Sequence, residues 1–365
     1  MNIADLPTPC LVLDRPILQR NLTRMAERLA GLGVPLRPHM KTAKSIDVAR
    51  LALIGQPGGI TVSTLAEAEY FAAHGITDIL YAVGITPQKL AQVATINAAG
   101  ARVAVITDDI ETASAIAAHP AAPRALIEID SGEARGGIGP DDAALPEIAR
   151  VLGPHLAGVM THAGHGYAGR TPADMARIAA TERDVVTRAA QMLRAAGHDV
   201  PVVSMGSSPT ALHAEDLSGV TEIRAGVYMF GDLFQAEIAT HGVADIAVTV
   251  LASVIGRRAG QLLIDAGGIA LSKDRSTQAT AVDYGYGLVL DVSGKATLGH
   301  SLVARAYQEH GVVALDPAVP INLPVGAKLR VAPNHVCMTA AAHDRYFVAD
   351  GGTEIVAVWP RVNGW

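Results

Sequence analysis

The apolar and polar positions of the chain follow two alternating periods. Short apolar runs stand at Val34–His39, Gly59–Ser63, Asp78–Val83, Arg102–Thr107, Ala125–Asp130, Leu156–Thr161, Val200–Met205 and Thr221–Gly226. Between them, at Thr64–His74, Pro87–Ala99, Ile110–His119, Ala143–Leu152 and Ala173–Ala196, apolar residues recur three or four apart. The first spacing is that of buried strands, the second that of helices with one apolar face. A further helical pattern over Pro16–Leu32 follows the stiff leader Asp5-Leu6-Pro7-Thr8-Pro9 and the apolar Cys10-Leu11-Val12-Leu13. The eight strand runs alternate with helices over about 230 residues. That count and length predict a (β/α)8 TIM-type barrel, typically ~250 residues, over an open doubly wound sheet.

Beyond Asp232 the helical period fades. Ile246–Gly256, Gln261–Asp265, Ala296–Ala304, Lys328–Ala332, Arg345–Ala349 and Glu354–Val358 are strand-like, with turn residues between them. The expected organisation is a barrel over 1–238 and a C-terminal all-β domain over 239–365, with the boundary within Asp232–Asp245.

Composition narrows the function classes. Of 365 residues half are hydrophobic and only 4% aromatic, which suits close helix-on-sheet packing. A formal net charge of −6 gives no basic surface for nucleic acid. No apolar run reaches the ~18 residues of a membrane span, and Met1-Asn2-Ile3-Ala4-Asp5 lacks the features of a signal peptide. Two distant cysteines, Cys10 and Cys337, do not make a disulfide framework. A soluble cytoplasmic protein is expected.

Barrels carry their chemistry at the C-terminal ends of the strands, and polar residues gather at nearly every such end here. The first run leads into His39-Met40-Lys41-Thr42, the fifth into Asp130-Ser131-Gly132-Glu133-Ala134-Arg135 and the sixth into Thr161-His162-Ala163-Gly164-His165-Gly166-Tyr167. A lysine following a buried strand is expected to leave water behind, which favours the neutral amine that attacks carbonyl compounds such as pyridoxal phosphate (PLP); the alternative is an ordinary lysine whose head reaches solvent. Gly206-Ser207-Ser208 ahead of a helix offers free N–H groups, hydroxyls and a positive dipole end, and Gly226-Val227 adds a second close backbone approach. The seventh and eighth loops are where barrels commonly hold phosphate, although a plain N-cap is the alternative. In the β-domain, Pro333-Asn334-His335-Val336-Cys337 puts an imidazole and a thiol two apart. In an extended segment both would reach one point and suit Zn²⁺ with open positions. A buried structural Cys beside a satisfied His is the competing reading.

Pro38-His39-Met40-Lys41-Thr42, the Asp130–Arg135 loop, Gly206-Ser207-Ser208-Pro209-Thr210 and Pro333–Cys337 together resemble the D-serine dehydratase and D-threonine aldolase family, fold-type III PLP enzymes related in their barrel to alanine racemases. The resemblance runs from Leu6-Pro7-Thr8-Pro9 to the terminal strands. It implies that Lys41 is the Schiff-base lysine and that Gly206, Ser207, Ser208, Gly226 and Val227 hold the phosphate. It places Arg135 near the pyridoxal phenolic oxygen, Arg224 or Tyr167 near the ring nitrogen, and His335 and Cys337 on a divalent metal, zinc first and manganese or magnesium otherwise. Dehydratases of this kind often carry a second His where this chain has Ala43. Within the family, His-x-Cys goes with dehydration and zinc, His-x-Asp with aldol cleavage and manganese. The resemblance thus implies a lyase of D-β-hydroxy amino acids, acting as a homodimer on a small-molecule substrate. A dehydratase acting on D-serine or D-3-hydroxyaspartate comes first, and a D-threonine aldolase is the alternative. A racemase using Tyr284 or Tyr286 would have no need for the His335/Cys337 pair, and a non-enzymatic PLP carrier no need for the β-domain.

Overall fold

A computed structural model describes residues 1–365, which form two compact units, Arg24–Gly226 with Val362–Trp365, and Met1–Thr23 with Val227–Arg361. The chain opens with strand β1 (Cys10–Asp14) and helix α1 (Arg15–Gly31). Eight parallel strands follow: β2 (Leu36–Pro38), β3 (Ile60–Val62), β4 (Asp78–Gly84), β5 (Arg102–Thr107), β6 (Ala125–Ile129), β7 (Leu156–Thr161), β8 (Val202–Met205) and β9 (Glu222–Ala225). Helices alternate with them, namely α2 (Ile46–Ala52), α3 (Leu65–Ala73), α4 (Leu90–Ala98), α5 (Ile110–Ala118), α6 (Ala144–Leu152), α7 (Pro172–Ala195) and α8 (Ser208–His213).

The sheet order β2-β9-β8-β7-β6-β5-β4-β3 brings the first two barrel strands to opposite ends of one sheet. A bridge between His39 and Thr61 joins those ends, with Met40 N–H donating to the Thr61 carbonyl at 2.8 Å, so the ring is nearly closed. Every expected barrel strand is present, with ends moved by at most two residues. The strands are short but buried; Val62, Val105, Ile127, Val159, Val203 and Ile223 are all fully inaccessible. Helices start where polar caps precede the apolar period: Thr64, Asp109 and Thr171 accept the N–H groups of Glu67, Thr112 and Asp174, and Pro172 stands at the first position of α7.

The second unit holds a nine-stranded sheet in the order β11-β14-β13-β12-β15-β10-β1-β16-β17. Its later strands are β10 (Val248–Arg258), β11 (Gln261–Ile264), β12 (Leu288–Leu290), β13 (Leu302–Ala306), β14 (Gly311–Ala314), β15 (Lys328–Ala332), β16 (Arg345–Ala349) and β17 (Ile355–Pro360). Short helices α9 (Leu233–Glu237), α10 (Gly268–Leu271) and α11 (Val336–Ala340) interrupt them.

The division of the chain at residue 238 is therefore too simple. Strand β1, all five residues buried, lies between β10, to which it is antiparallel, and β16, to which it is parallel. The first 23 residues thus group with the β unit, while Val362–Trp365 group with the barrel, where Val362 N–H donates to the Lys44 carbonyl. Strands β12 and β14 are absent from the sequence reading, and only the end of the expected Ala296–Ala304 strand forms. No helix is long and apolar enough to cross a membrane.

Candidate active site

The turn after β2 carries Lys41. Its backbone N–H lies 3.4 Å from Nδ1 of His39, and its side chain is exposed. The expectation that burial strips water from this lysine is corrected: β2 ends at Pro38, and Lys41 sits on an open turn beyond it. What holds that turn is Lys44, whose φ of +49° is uncommon for a side-chain-bearing residue. Its N–H donates to the Met40 carbonyl at 2.7 Å, and its Nζ lies 2.9 Å from Oε1 of fully buried Glu67. Glu67 also accepts Ser63 N–H at 3.1 Å, so one carboxylate ties the ends of two neighbouring strands.

Around this turn the unit collects cations and neutral imidazoles. Arg224, on β9 and only 3% exposed, donates to the Thr161 carbonyl and to Ser204 Oγ. Burial, and then the charges of Lys41 and Arg224, hold His39 well below the ordinary histidine range. The same two causes, with Arg135 adding to them, push His162 down to about 3. His162 is therefore a neutral ring near neutrality, and the short contact from Nδ1 to the Gly206 carbonyl, 3.0 Å, is a donated hydrogen bond.

Gly206 and Gly226 occupy positions with no room for a side chain. Gly206 has φ +128°, and a Cβ on it would stand 2.5 Å from the Arg224 carbonyl oxygen; one on Gly226 would stand 2.7 Å from that of His39. The donors beside Gly206 are not free, contrary to the sequence reading. Gly206 N–H donates to Glu182 Oε1 at 3.0 Å and Ser207 N–H to Thr210 Oγ1 at 3.0 Å. Ser207 caps α8 and Ser208 is fully buried in its first turn. Val227 is buried at the start of a 3-10 turn, Val227–Met229. Arg135 is exposed and 3.5 Å from Glu133, and Tyr167 is half-buried in the 3-10 segment Gly164–Ala168. The buried hydroxyls of Ser131 and Thr161 have no hydrogen-bond partner in the chain. Cationic groups, orphaned hydroxyls and two glycine turns fit a phosphate-bearing anion.

The His335/Cys337 pair lies on a different element from the one expected. His335 is extended (φ −134°, ψ 103°) but serves as N-cap of α11, and Cys337 falls in the first helical turn. The Cys337 side chain nevertheless lies close enough to His335 to favour charge on its ring. Asp274 Oδ2 is 4.0 Å from His335 Nδ1. Asp232 is buried and accepts Val336 N–H at 3.1 Å and Gln235 N–H at 2.8 Å. Burial opposes charge on His335, yet the contact with Cys337 and the carboxylates of Asp232 and Asp274 outweigh it and lift the ring to about 9. Burial raises Asp232 to about 6 against the pull of His335. The donor set is anionic and soft, which fits a divalent cation. No group of three or more His, Cys, Asp or Glu side chains converges in a metal-binding arrangement, so the pair offers two protein ligands.

The sequence reading missed Glu67, Glu182, Asp232 and Asp274. Glu67 and Glu182 lie on helices whose pattern gives acidic residues a solvent face, and only their contacts show otherwise.

The chain matches the family model of the alanine racemase N-terminal domain over residues 13–233 and that of a putative serine dehydratase domain over 247–349. It is 44% identical over 380 residues to D-threo-3-hydroxyaspartate dehydratase of Delftia sp. (strain HT23), covering 100% of this chain and 99% of that protein. It is 30% identical over 393 residues to D-serine dehydratase of Dictyostelium discoideum, covering 100% and 98%. Among solved structures, a mutant D-threo-3-hydroxyaspartate dehydratase in its metal-free form superposes with a TM-score of 0.96 at 42% identity, covering 100% of both chains.

Proposed function

The chain belongs to the family that joins an alanine racemase N-terminal domain to a serine dehydratase domain, and from that membership we propose a PLP- and metal-dependent lyase of D-β-hydroxy amino acids. We read it as a dehydratase that turns D-3-hydroxyaspartate or D-serine into a keto acid and ammonia. The contact between His335 and Cys337, set among Asp232 and Asp274, carries this reading. A racemase has no use for a soft cation-binding pair, whereas loss of a β-hydroxyl does.

Bound PLP supplies an electron sink for the bond broken at Cα, and a bound divalent ion makes the β-hydroxyl a better leaving group. The chain's own groups do the rest. The Lys41 amine holds the cofactor and then removes the α-proton, for which its exposed turn leaves it accessible. The turns Gly206–Ser208 and Gly226–Val227 receive the phosphate, with Arg135 by the phenolic oxygen and Arg224 or Tyr167 by the ring nitrogen. Arg224 keeps its charge buried by hydrogen-bonding Thr161 and Ser204, and that charge favours an anionic ligand beside it. His335 and Cys337 hold the cation, zinc by the softness of the thiolate, with manganese or magnesium as alternatives.

The metal-free form named for the related structure supports a metal in that relative. A 30%-identical relative named D-threonine aldolase, from Arthrobacter sp, marks the alternative in which Cα–Cβ breaks. A product assay on D-3-hydroxyaspartate, D-serine and D-threonine decides: keto acid plus ammonia supports dehydration, and glycine plus aldehyde overturns it. We also place the protein in the cytoplasm as a homodimer, a state that sedimentation of the purified protein tests.

A further inference from the structure

Gly206 has a problem that its role imposes. A glycine accepts φ +128° without a steric penalty, but it also accepts many other conformations, and fixing it costs more backbone entropy than any other residue. With no side chain of its own, its peptide groups must be held by others. The carbonyl is held by His162 Nδ1 at 3.0 Å and the N–H by Glu182 Oε1 at 3.0 Å. The same Oε1 accepts Ala163 N–H at 2.8 Å, from the loop that follows β7. Glu182 lies in the middle of the 24-residue helix α7 and is fully buried. Its charge is opposed by burial and favoured by the hydrogen bonds from Ala163 and Gly206 N–H and by the nearby Arg224.

We propose that Glu182 is a positioning residue for the anion cradle: one carboxylate oxygen pins the Gly206 turn to the Ala163 loop, so that the turn meets the cofactor's phosphate already formed. This rests on the reading of the protein as a PLP enzyme. Thr210 accepts Ser207 N–H at 3.0 Å and contacts Ser207 Oγ at 3.0 Å. The first turn of α8 is thus closed by its own side chains, and Glu182 acts on the Gly206 end of the turn. Gly166 continues the seam, since a Cβ there would lie 3.5 Å from Thr210 Cγ2 and 3.7 Å from Ser207 Oγ. A preorganised turn binds more tightly because the ordering cost is met before the ligand arrives.

The test compares PLP with pyridoxal, which lacks the phosphate, on purified apo-protein, with binding followed by the cofactor's absorbance. Wild-type protein that does not bind PLP removes the functional reading and this inference with it. If it does bind, Glu182→Ala, which withdraws the acceptor from two backbone donors, should weaken PLP by roughly 10- to 100-fold and leave pyridoxal affinity nearly unchanged. Glu182→Gln retains an acceptor oxygen and should stay within about threefold of wild type for both ligands. A merely structural Glu182 would lower thermal stability and weaken both ligands together in Glu182→Ala. That outcome overturns the proposal and leaves PLP dependence intact, as does wild-type PLP affinity in Glu182→Ala. Should Glu182→Ala fail to fold, Glu182→Met, similar in volume but without an acceptor oxygen, carries the test. It is expected to shift the PLP-to-pyridoxal ratio by several-fold or more, and an unchanged ratio there overturns the proposal.

Discussion

His39 and His162 of the barrel unit and His335 of the β unit are pushed in opposite directions. In the barrel unit His39 and His162 are driven towards the neutral ring, His162 to about 3. In the β unit His335 is lifted to about 9. Burial pushes all three the same way, against charge, so it does not explain the contrast. The neighbours do: Lys41, Arg224 and Arg135 on one side, Cys337, Asp232 and Asp274 on the other. Cations beside neutral histidines favour an anion, and the carboxylates and thiol around His335 favour a cation, whose binding would displace the proton from the ring. The chain's near-neutral composition hides this separation entirely, since its net charge of −6 averages over both.

The largest effect should come from removing the nucleophile of the cationic set. Lys41→Ala is expected to lower keto-acid formation by at least about ten-thousandfold while the protein still takes up a divalent ion, measured by metal analysis after dialysis. A variant keeping a tenth of the activity would show that Lys41 is not the attachment point. The reciprocal change comes next. Cys337→Ala, or stripping with a chelator, should cost about a thousandfold in turnover, the several kcal/mol that a Lewis acid supplies, and leave the cofactor absorbance in place. Activity surviving complete metal removal would make the His335/Cys337 pair structural and collapse the contrast between the two sets.

A smaller effect is expected at the backbone. Gly226→Ala forces a Cβ to within 2.7 Å of the His39 carbonyl, and such overpacking costs about 1–3 kcal/mol. Gly352, with open space around it, should tolerate alanine with no loss; thermal melts of the two variants give the comparison. A further effect of comparable size is expected in acid. The folded value for His162, about 3, lies below the ordinary 6.5, so the unfolded chain binds the proton more readily. The neutral ring's contribution to stability is complete above about pH 6.5 and is lost as pH falls towards 3. His162→Gln keeps a donor for the Gly206 carbonyl and does not titrate. Denaturant unfolding of the apo-protein at pH 7 and pH 4 should therefore show a shallower fall in His162→Gln than in wild type. Equal slopes would mean that the cations around His162 do not govern its protonation.

Much of this was legible beforehand because it is local. Each barrel run, Leu156–Thr161 among them, carries its own burial signal and is followed by its own polar cap or turn. Lys41, His335 and Cys337 stood out because rare residue types sit at strand ends or two apart. Glu182 did not, because an acidic residue on a helix reads as a solvent-facing one until its neighbours are known.

The amino-acid sequence by itself determined the alternation of strands and helices, the change to β texture after Asp232 and the residue types available for chemistry, since period and spacing are properties of neighbouring residues. The tertiary structure alone decided that β1 joins the β unit's sheet between β10 and β16, that the Gly206 and Ser207 N–H groups are already committed, and that Lys41 stands in the open. It also decided the charge of His39, His162 and His335. Those outcomes depend on groups far apart in the chain, and a hydrogen bond or a Coulombic shift is set by distance in space, which no local pattern encodes.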